Sequence, residues 1–245
     1  MIILFAPSEG KREGGVLPPL CESSLIFPEY YSKRLEVMER YQKVVCQGCN
    51  EALEALFGIK DTREFERYKI SFHEAPTMKA VLRYDGVAYD YLNYPTLSCE
   101  AQHYIDSNVI LFSNLFGPIR AGDAIPDYKL KQGASIEGLA CEKFYKEYFS
   151  DALDGIIENQ EILDLRAGFY DKFYIPKNPI TTFKFLKEGK VVSHWAKAYR
   201  GVVLRTAAMH QVQSVEALLA LNIEGLVLSE IIQTKKKKEI IYTIV

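Results

Sequence analysis

Apolar residues recur along the chain in two patterns, short unbroken runs and longer stretches with a helical period. The runs at 2–6 and 109–112 predict buried strands. Apolar positions three and four apart predict helices over 29–57, with a break at a glycine, and over 138–158. Strands and helices mix without a steady βαβ rhythm, and no repeat or linker divides the chain. We therefore predict one α+β (mixed α/β) domain spanning 1–245, with a mixed β-sheet surrounded by helices.

The remaining elements are predicted from shorter patterns. In chain order they are a strand over 78–84, a helix over 99–107, strands at 183–186 and 191–195, a helix from near Ala196 to about His210, a short helix capped by Ser214, and a β-hairpin over 225–245 with Lys235 to Lys238 at its tip. Most of these pieces are too short for periodicity alone to separate helix from strand.

Residues 41–68 have the outline of a helix-hairpin-helix element. One helix ends at Phe57-Gly58-Ile59-Lys60, and Thr62 is positioned to cap a second helix. The exposed amides of such a hairpin can meet a nucleic-acid phosphate, as helix N-termini do with anions. A plain αα-turn with a glycine after the first helix accounts for the same residues. Both interpretations stay open.

Charge is balanced overall and uneven locally. The formal net charge is −2, so a nucleic-acid partner would have to be met by a local patch. Residues 134–161 hold seven acids against two lysines, whereas residues 163–210 hold nine Lys or Arg against three acids. The second of these segments is therefore the basic part of the chain.

Several classes of protein are excluded by composition. No apolar run approaches the ~18 to 20 residues of a membrane span, and the N-terminus lacks the basic start of a signal peptide. We therefore expect a cytoplasmic protein without a membrane partner. Cys46 and Cys49 form a lone Cys-x-x-Cys pair with no histidine nearby, and the four histidines of the chain are scattered. Neither a metal site nor a cofactor is expected.

Three loops combine glycine with basic or hydroxyl side chains beside predicted strands. The first loop is Pro7-Ser8-Glu9-Gly10-Lys11-Arg12. It is not a P-loop, because Phe5 and Arg12 stand where that motif needs a glycine and a hydroxyl. Ser8 still offers a hydrogen-bond donor and Lys11 a mobile charge. On these residues alone, a solvated loop and an anion site both remain open.

The second loop follows the strand at 109–112. It runs from Asn114 to Arg120 and continues through Asp123 to Tyr128 and Lys129. Polar residues that follow an apolar strand and a Gly-Pro turn are often placed for binding. A general base, if the protein is an enzyme, would come from Glu9, Asp85, Asp123 or a lysine of lowered pKa.

The third loop is Lys197-Ala198-Tyr199-Arg200-Gly201, at the start of a predicted helix. Lys197 and Arg200 are three residues apart and therefore project from one face. Two cations near a helix N-terminus are repelled by the positive end of the helix dipole. An anion bound there would be attracted by the cations and by the dipole alike. The arrangement therefore favours an anion site.

In this order the loops resemble the YaaA family of peroxide stress proteins, and the resemblance runs essentially end to end. Its most specific part is Ala6-Pro7-Ser8-Glu9-Gly10-Lys11. Similar blocks lie at Tyr84–Tyr89, Phe112–Arg120, Ile125–Leu130, Lys197–Gly201 and Leu221–Gly225. Two positions depart from the family pattern: a carboxylate is missing at Phe169, and Ala121 stands where proline is frequent.

The resemblance implies a single mixed α/β domain and a cytoplasmic bacterial protein that protects under peroxide stress. It also implies DNA binding through a positively charged cleft and through a helix-hairpin-helix like the one at 41–68. That element recurs in DNA repair glycosylases, a likeness of fold that does not establish catalysis.

Three hypotheses follow. In the first, the protein binds double-stranded or damaged DNA, and the expected phosphate contacts are Ser8, Lys11, Gly58, Lys60, Arg120, Tyr128, Lys129, Lys197 and Arg200. In the second, a lyase-like or glycosylase-like enzyme acts on a nucleobase, nucleotide or damaged DNA in the same cleft. Its catalytic candidates are Ser8, Glu9, Lys11 and Lys197, with Tyr89 stacking on the base. In the third, the chain is a scaffold or iron-handling partner without chemistry of its own.

Overall fold

A computed structural model describes residues 1–245, apart from the side chains of residues 193 and 194, so His194 lies outside the described side chains. The strands are β1 Ile2–Phe5, β2 Gly10–Lys11, β3 Thr77–Lys79, β4 Tyr84–Asp85, β5 Val109–Ser113, β6 Gly117–Arg120, β7 Ala124–Pro126, β8 Ser135–Ile136, β9 Leu139–Ala140, β10 Ile162–Asp164, β11 Ile180–Lys187, β12 Lys190–Val191, β13 Leu226–Gln233 and β14 Lys237–Ile244. The helices are α1 Tyr31–Gln47, α2 Asn50–Phe57, α3 Ala80–Arg83, α4 Val87–Leu92, α5 Cys99–Asn108, α6 Cys141–Ile157, α7 Ser193–Met209 and α8 Val215–Leu219. Short 3₁₀ helices lie at Glu22–Ser24, Pro28–Tyr30, Thr62–Tyr68, Tyr94–Thr96 and Gly168–Lys172.

The main sheet is mixed, with a parallel centre and antiparallel edges. Its strand order is β13-β14-β11-β10-β1-β5-β6, and β12 pairs with β11. The strands β14, β11, β10, β1 and β5 are mutually parallel, whereas β13 and β6 pair antiparallel at the two ends. The central strands are nearly continuous apolar runs because both of their faces are buried.

The chain changes direction across the sheet between β1 and β10. From β1 it returns to the sheet at β5, on one side, and from β10 it returns at β11, on the other side. The two strands are in parallel register, with Ile2 beside Ile162 and Leu4 beside Asp164. Such a switch point leaves a crevice outside the carboxyl ends of the two strands, where open α/β sheets bind their ligands.

The expected fold class is confirmed, and most long elements lie where their patterns predict them. The stretch 29–57 forms α1 and α2 with the break at Gly48, the stretch 138–158 forms α6, and the C-terminal hairpin forms β13 and β14. None of the helices that the structure describes is both long and apolar enough to cross a membrane.

Three local predictions are wrong. Residues 78–84 are not one strand, because α3 interrupts them, with the amides of Ala80 and Val81 bonded to the carbonyls of Asp123 and Ala121. The strand expected over 191–195 ends at Val191, and α7 begins at Ser193. The cap before the 3₁₀ helix at 62–68 is Asp61, whose carboxylate accepts the amide of Arg63, and not Thr62.

Helix α1 is tied to the sheet through a buried arginine. Arg34 is 0% exposed and donates to the carbonyl oxygens of Phe27, Phe116 and Pro118 at 2.8 to 3.1 Å. Its guanidinium also lies over the ring of Phe149 on α6, at 4.6 Å. One side chain thus satisfies three buried acceptors and joins α1, the β5–β6 turn and α6.

We predict that Arg34→Met costs about 3 kcal/mol or more of unfolding free energy, because three buried carbonyls lose their donor. Chemical denaturation measures the loss. Arg40→Met on the same helix is the control: among the described side chains Arg40 pairs only with surface Glu36, so its loss should stay near ~0.5 kcal/mol. Equal losses for the two variants would contradict the role assigned to Arg34.

Candidate functional site

A cavity of about 400 Å³ opens at the switch point, outside the carboxyl ends of β1 and β10. We call it the switch-point cavity. Its lining residues are Phe5, Ala6, Pro7, Ser8, Glu9, Gly10, Asp85, Gly86, Val87, Ala88, Tyr89, Gln132, Leu165, Ala167, Tyr170, Lys197 and Arg200. Its volume falls within the ~300–1,000 Å³ of small-molecule sites. The first and third loops of the sequence analysis therefore meet in one place.

The first loop is held by the segment that contains β4. Strand β2 pairs with β4, Gly10 beside Asp85, and the Ser8 hydroxyl donates to the Asp85 carbonyl at 2.5 Å. Two glycines make this approach possible. A Cβ on Gly10 would lie 2.6 Å from the Asp85 oxygen, and Gly86 has a φ of +149° with Ser8 Oγ against it. The Ser8 hydroxyl is therefore engaged within the loop.

Glu9 is also engaged. Its carboxylate accepts the amide of Gln132 at 2.7 Å and lies 3.7 Å from Lys129 Nζ. Lys129 also donates to the Glu9 carbonyl at 3.1 Å. The pair fastens the first loop to the segment after β7. Lys129 is thereby largely neutralised, which does not suit the phosphate contact predicted for it.

Helix α7 brings Lys197 and Arg200 to the cavity by packing closely on α4. A Cβ on Gly201 would overlap the Ala88 carbonyl oxygen, so only glycine permits this approach. Lys197 is exposed at the mouth of the cavity, and Arg200 is half-buried in its wall. The Lys-x-x-Arg-Gly spacing thus combines two cations with the glycine that positions them.

Arg200 is a desolvated cation without an anionic partner among the residues whose side chains are described. Burial lowers the pKa of its guanidinium, and the negative charge of Asp164 opposes that shift. Asp164, however, is bound at both carboxylate oxygens by Arg166, at 2.9 and 2.7 Å. Removing a guanidinium from water costs free energy that an anion in the cavity would offset.

Lys197 and Arg200 do not lie in the first turn of their helix, so the conflict with the helix dipole expected for the third loop is wrong. Since α7 begins at Ser193, Lys197 is its fifth residue and Arg200 its eighth. The dipole acts mainly on the first turn of a helix, so neither cation opposes it strongly. What favours an anion is the burial of Arg200.

Tyr170 is a site residue that no sequence pattern singled out. It lines the cavity, is only 6% exposed, and its hydroxyl has no hydrogen-bond partner among the described residues. It lies in the 3₁₀ helix that follows β10. The family block at 165–170 could have drawn attention to it, but the missing carboxylate at Phe169 is the visible difference there. Phe169 instead packs on Tyr170, with ring centroids 5.4 Å apart.

Lys11 is close to the cavity but is not part of its lining. Its Nζ donates to the carbonyls of Ser8 at 3.3 Å and Glu9 at 3.5 Å, and lies 4.3 Å from the centre of the Tyr128 ring. Burial, together with the nearby Lys129, lowers the pKa of Lys11 to about 7. The amine supports the loop from behind, so the contacts do not bring it to a ligand as either DNA hypothesis assumed.

Two further predicted contacts lie elsewhere. Tyr128 is buried, and its hydroxyl is shared with Ser113 at 2.8 Å and Tyr84 at 3.0 Å, so the phosphate contact expected of it stays a prediction. Arg120 is exposed on the edge strand β6, opposite Ile110 and separated from β1 by β5. Within the second loop, Gly117–Arg120 thus form an edge strand of the main sheet.

The remaining candidates have structural contacts of their own. Tyr89 lines the cavity but is largely buried: its ring packs against Phe5 and Tyr84, and its hydroxyl donates to the Ala6 carbonyl. Its stacking on a base stays a prediction. The Asp123 carboxylate accepts the amides of Ile26 and Arg120. Among the acids that line the cavity, Asp85 lies 3.6 Å from Arg12.

The proposed hairpin is formed by α2, Gly58 and the 3₁₀ helix at 62–68. Gly58 takes a left-handed conformation, φ 68°, and its amide donates to the Glu54 carbonyl as a helix cap. That amide is therefore occupied. Lys60 is exposed, and the neighbouring Lys131 packs its stem against Gly58. The role of this element in DNA binding stays a prediction.

Fold and site together define a mixed α/β protein with a ligand-sized cavity, lined in part by Lys197 and Arg200, at a switch point of its sheet. A family model described as peroxide stress protein YaaA matches residues 1–231. The chain belongs to this family, as its motifs suggested.

Relatives extend over nearly the whole chain. An uncharacterized protein of Campylobacter jejuni, Cj0984, is 50% identical over 244 residues, which are 100% of this chain and 99% of the relative. The UPF0246 protein CE1889 of Corynebacterium efficiens is 35% identical over 217 residues, 85% of each chain. The UPF0246 protein SCO2297 of Streptomyces coelicolor is 30% identical over 238 residues, 91% of each chain.

We predict that Gly201→Ala destabilises the fold by about 1–3 kcal/mol, because the added methyl group forces α7 away from α4. Gly155→Ala on α6 is the control. A Cβ there meets nothing within 4 Å, so alanine should stabilise that helix by roughly 0.5–1 kcal/mol. Denaturant titration of both variants should give changes of opposite sign. A neutral Gly201→Ala would show that close packing of α7 is not required.

We predict a pH dependence from Lys11. Its pKa is about 7 in the folded protein and near 10.5 in the unfolded chain, so between these values the unfolded chain binds the extra proton and stability rises with pH. The unfolding free energy of the wild type should therefore increase from pH 7 to 9 relative to Lys11→Met, which lacks the amine. Lys143→Met, an exposed position, should follow the wild type. A difference between wild type and Lys11→Met that does not vary with pH would contradict the burial of a charged amine.

Proposed function

We propose that this peroxide stress protein binds DNA at the switch-point cavity and takes one nucleotide into it, with the phosphate against Arg200 and Lys197. Protection under peroxide stress would then act through contact with DNA. The alternative within the same chemistry is a free nucleotide in the same cavity.

The observation that carries the proposal is the unpaired charge of Arg200. Both acids of the cavity wall have partners, Glu9 with Gln132 and Lys129, and Asp85 with Arg12. Arg200 and Lys197 have no ion-pair partner among the described side chains. The cavity is therefore electropositive, and the planar guanidinium suits bidentate binding of a phosphate.

The size and shape of the cavity favour a single nucleotide over a long stretch of duplex. A volume of about 400 Å³ is closed on several sides by apolar residues such as Phe5, Val87 and Leu165. Proteins that take a base out of the stack hold it in a pocket of this kind. An unpaired or damaged nucleotide costs less to extrude than a paired one, which would select such sites.

The surroundings of the cavity support a DNA strand on either side of that nucleotide. Gln132 lines the cavity, and its neighbour Lys131 is exposed and bonds through its amide to the Leu56 carbonyl at 2.9 Å. The hairpin around Gly58, with exposed Lys60, therefore adjoins the rim of the cavity. These cations would meet backbone phosphates, which is the local patch that a chain of net charge −2 requires.

We predict that the protein binds DNA containing one unpaired nucleotide at ~50 mM salt, and that affinity falls as salt rises, by a log-log slope of roughly −0.9 per phosphate contact on duplex. Arg200→Ala should weaken binding about 10-fold or more, because a charge-assisted hydrogen bond is lost. Fluorescence anisotropy with bulged duplex, fully paired duplex and a deoxynucleoside monophosphate measures this.

Lys143→Ala is the matched control for charge, since Lys143 is exposed on α6 away from the cavity, and its affinity should stay within about twofold of wild type. Binding that is the same for wild type and Arg200→Ala would refute the proposal. Binding of the monophosphate without binding of either DNA would leave the free nucleotide as the ligand and refute the DNA part.

A further inference from the structure

We propose that Tyr170 is the residue that reads the base of the nucleotide, by donating its hydroxyl to an acceptor on the base edge while Arg200 holds the phosphate. The ligand class is then a nucleotide that retains its base, and not an abasic sugar phosphate. This inference rests on the proposed function and deepens it.

The hydroxyl of Tyr170 has no hydrogen-bond partner among the described residues. A tyrosine that is only 6% exposed normally has its hydroxyl hydrogen-bonded. Several buried tyrosines of this chain follow that rule: Tyr104 donates to Val212, Tyr174 to Asp154 and Tyr128 shares its hydroxyl with Ser113. Tyr68 and Tyr242 are as buried and have no hydroxyl hydrogen bond among the described residues, but neither of them lines the cavity. Tyr170 has no such partner in the described part of the chain, and it lines the cavity. A ligand group at that point would satisfy it.

The ring of Tyr170 is fixed by its neighbours. It packs against Phe169 and Phe173, with centroids 5.4 and 5.8 Å away. The backbone of Tyr170 is held as well, because its carbonyl accepts a hydrogen bond from Arg166 at 3.1 Å. The ring therefore keeps its place, and the position of its hydroxyl relative to β10 is set before a ligand arrives.

The Tyr170 hydroxyl also has the chemistry of a hydrogen-bond donor. Burial raises the pKa of the Tyr170 hydroxyl, and the nearby Tyr84 and Glu9 raise it further, so the group keeps its proton at neutral pH. A protonated phenol donates to a carbonyl oxygen or a ring nitrogen, and base edges offer both. Apolar residues line the same cavity as this donor and the two cations, among them Phe5, Val87 and Leu165. A phosphate, a flat apolar ring and an acceptor are the features of a nucleotide.

The test compares two probes, deoxynucleoside monophosphates and 2-deoxyribose 5-phosphate, which carries the same phosphate and sugar without a base. Titration calorimetry with Tyr170→Phe should show about 5- to 10-fold weaker binding of at least one monophosphate, which corresponds to one hydrogen bond. Binding of the sugar phosphate should be unchanged. Arg200→Ala should weaken both probes.

Tyr174→Phe is the structural control, because it lies in the same segment but bonds to Asp154 outside the cavity. It should unfold at a lower midpoint than wild type with unchanged ligand preference. Tyr170→Phe should unfold at a midpoint no lower than wild type, since its hydroxyl has no partner to lose.

The outcomes separate the two proposals. If Tyr170→Phe weakens both probes equally, or neither, the assignment of Tyr170 is wrong even where Arg200→Ala still abolishes binding. The assignment is equally overturned if the wild type binds the sugar phosphate as tightly as every monophosphate. If neither probe binds the wild type, or Arg200→Ala changes neither, it is the anion site itself that fails.

Discussion

The parallel pairing of β1 with β10 is the constraint on which the site depends. Because the chain leaves these neighbouring strands toward opposite edges of the sheet, a crevice is left beyond their carboxyl ends. The first loop then lies at one wall of this space and the segment after β10 at another. Helix α7, seated on α4 through Gly201, closes a third. The cavity is thus a consequence of strand order, and its chemistry is added by loops.

Around this cavity, some polar groups already have hydrogen-bond or ion-pair partners within the protein, and others do not. Ser8, Glu9 and Lys11 look from sequence like ligands, but their contacts hold the loop together: Ser8 to Asp85, Glu9 to Gln132, and Lys11 to the loop carbonyls. Arg200, Lys197 and Tyr170 are left without such partners among the described residues. Unpaired groups in a concave, partly dry space are where binding free energy is available, because a ligand removes a cost already present in the empty protein.

Sequence reasoning recovered the elements with long periods and the two loops that meet. The spacing along α1 and α6 was sufficient because each helix buries one continuous face. It failed at Ala80–Arg83, where a short apolar run becomes a helical turn through bonds to Asp123 and Ala121, which lie about forty residues away. It also could not tell Lys11 from Arg200, since both are cations beside glycines, and only the folded chain shows which one has partners. Tyr170 was missed because only the folded chain shows that it lines the cavity without a hydrogen-bond partner among the described residues.

The most direct test is a crystal structure of the protein with a deoxynucleoside monophosphate bound. The account predicts the phosphate within ~3 Å of the Arg200 guanidinium, at the carboxyl ends of β1 and β10, with the base directed toward Tyr170. A nucleotide bound elsewhere on the surface, with Arg200 paired to a carboxylate of the protein itself, would contradict it.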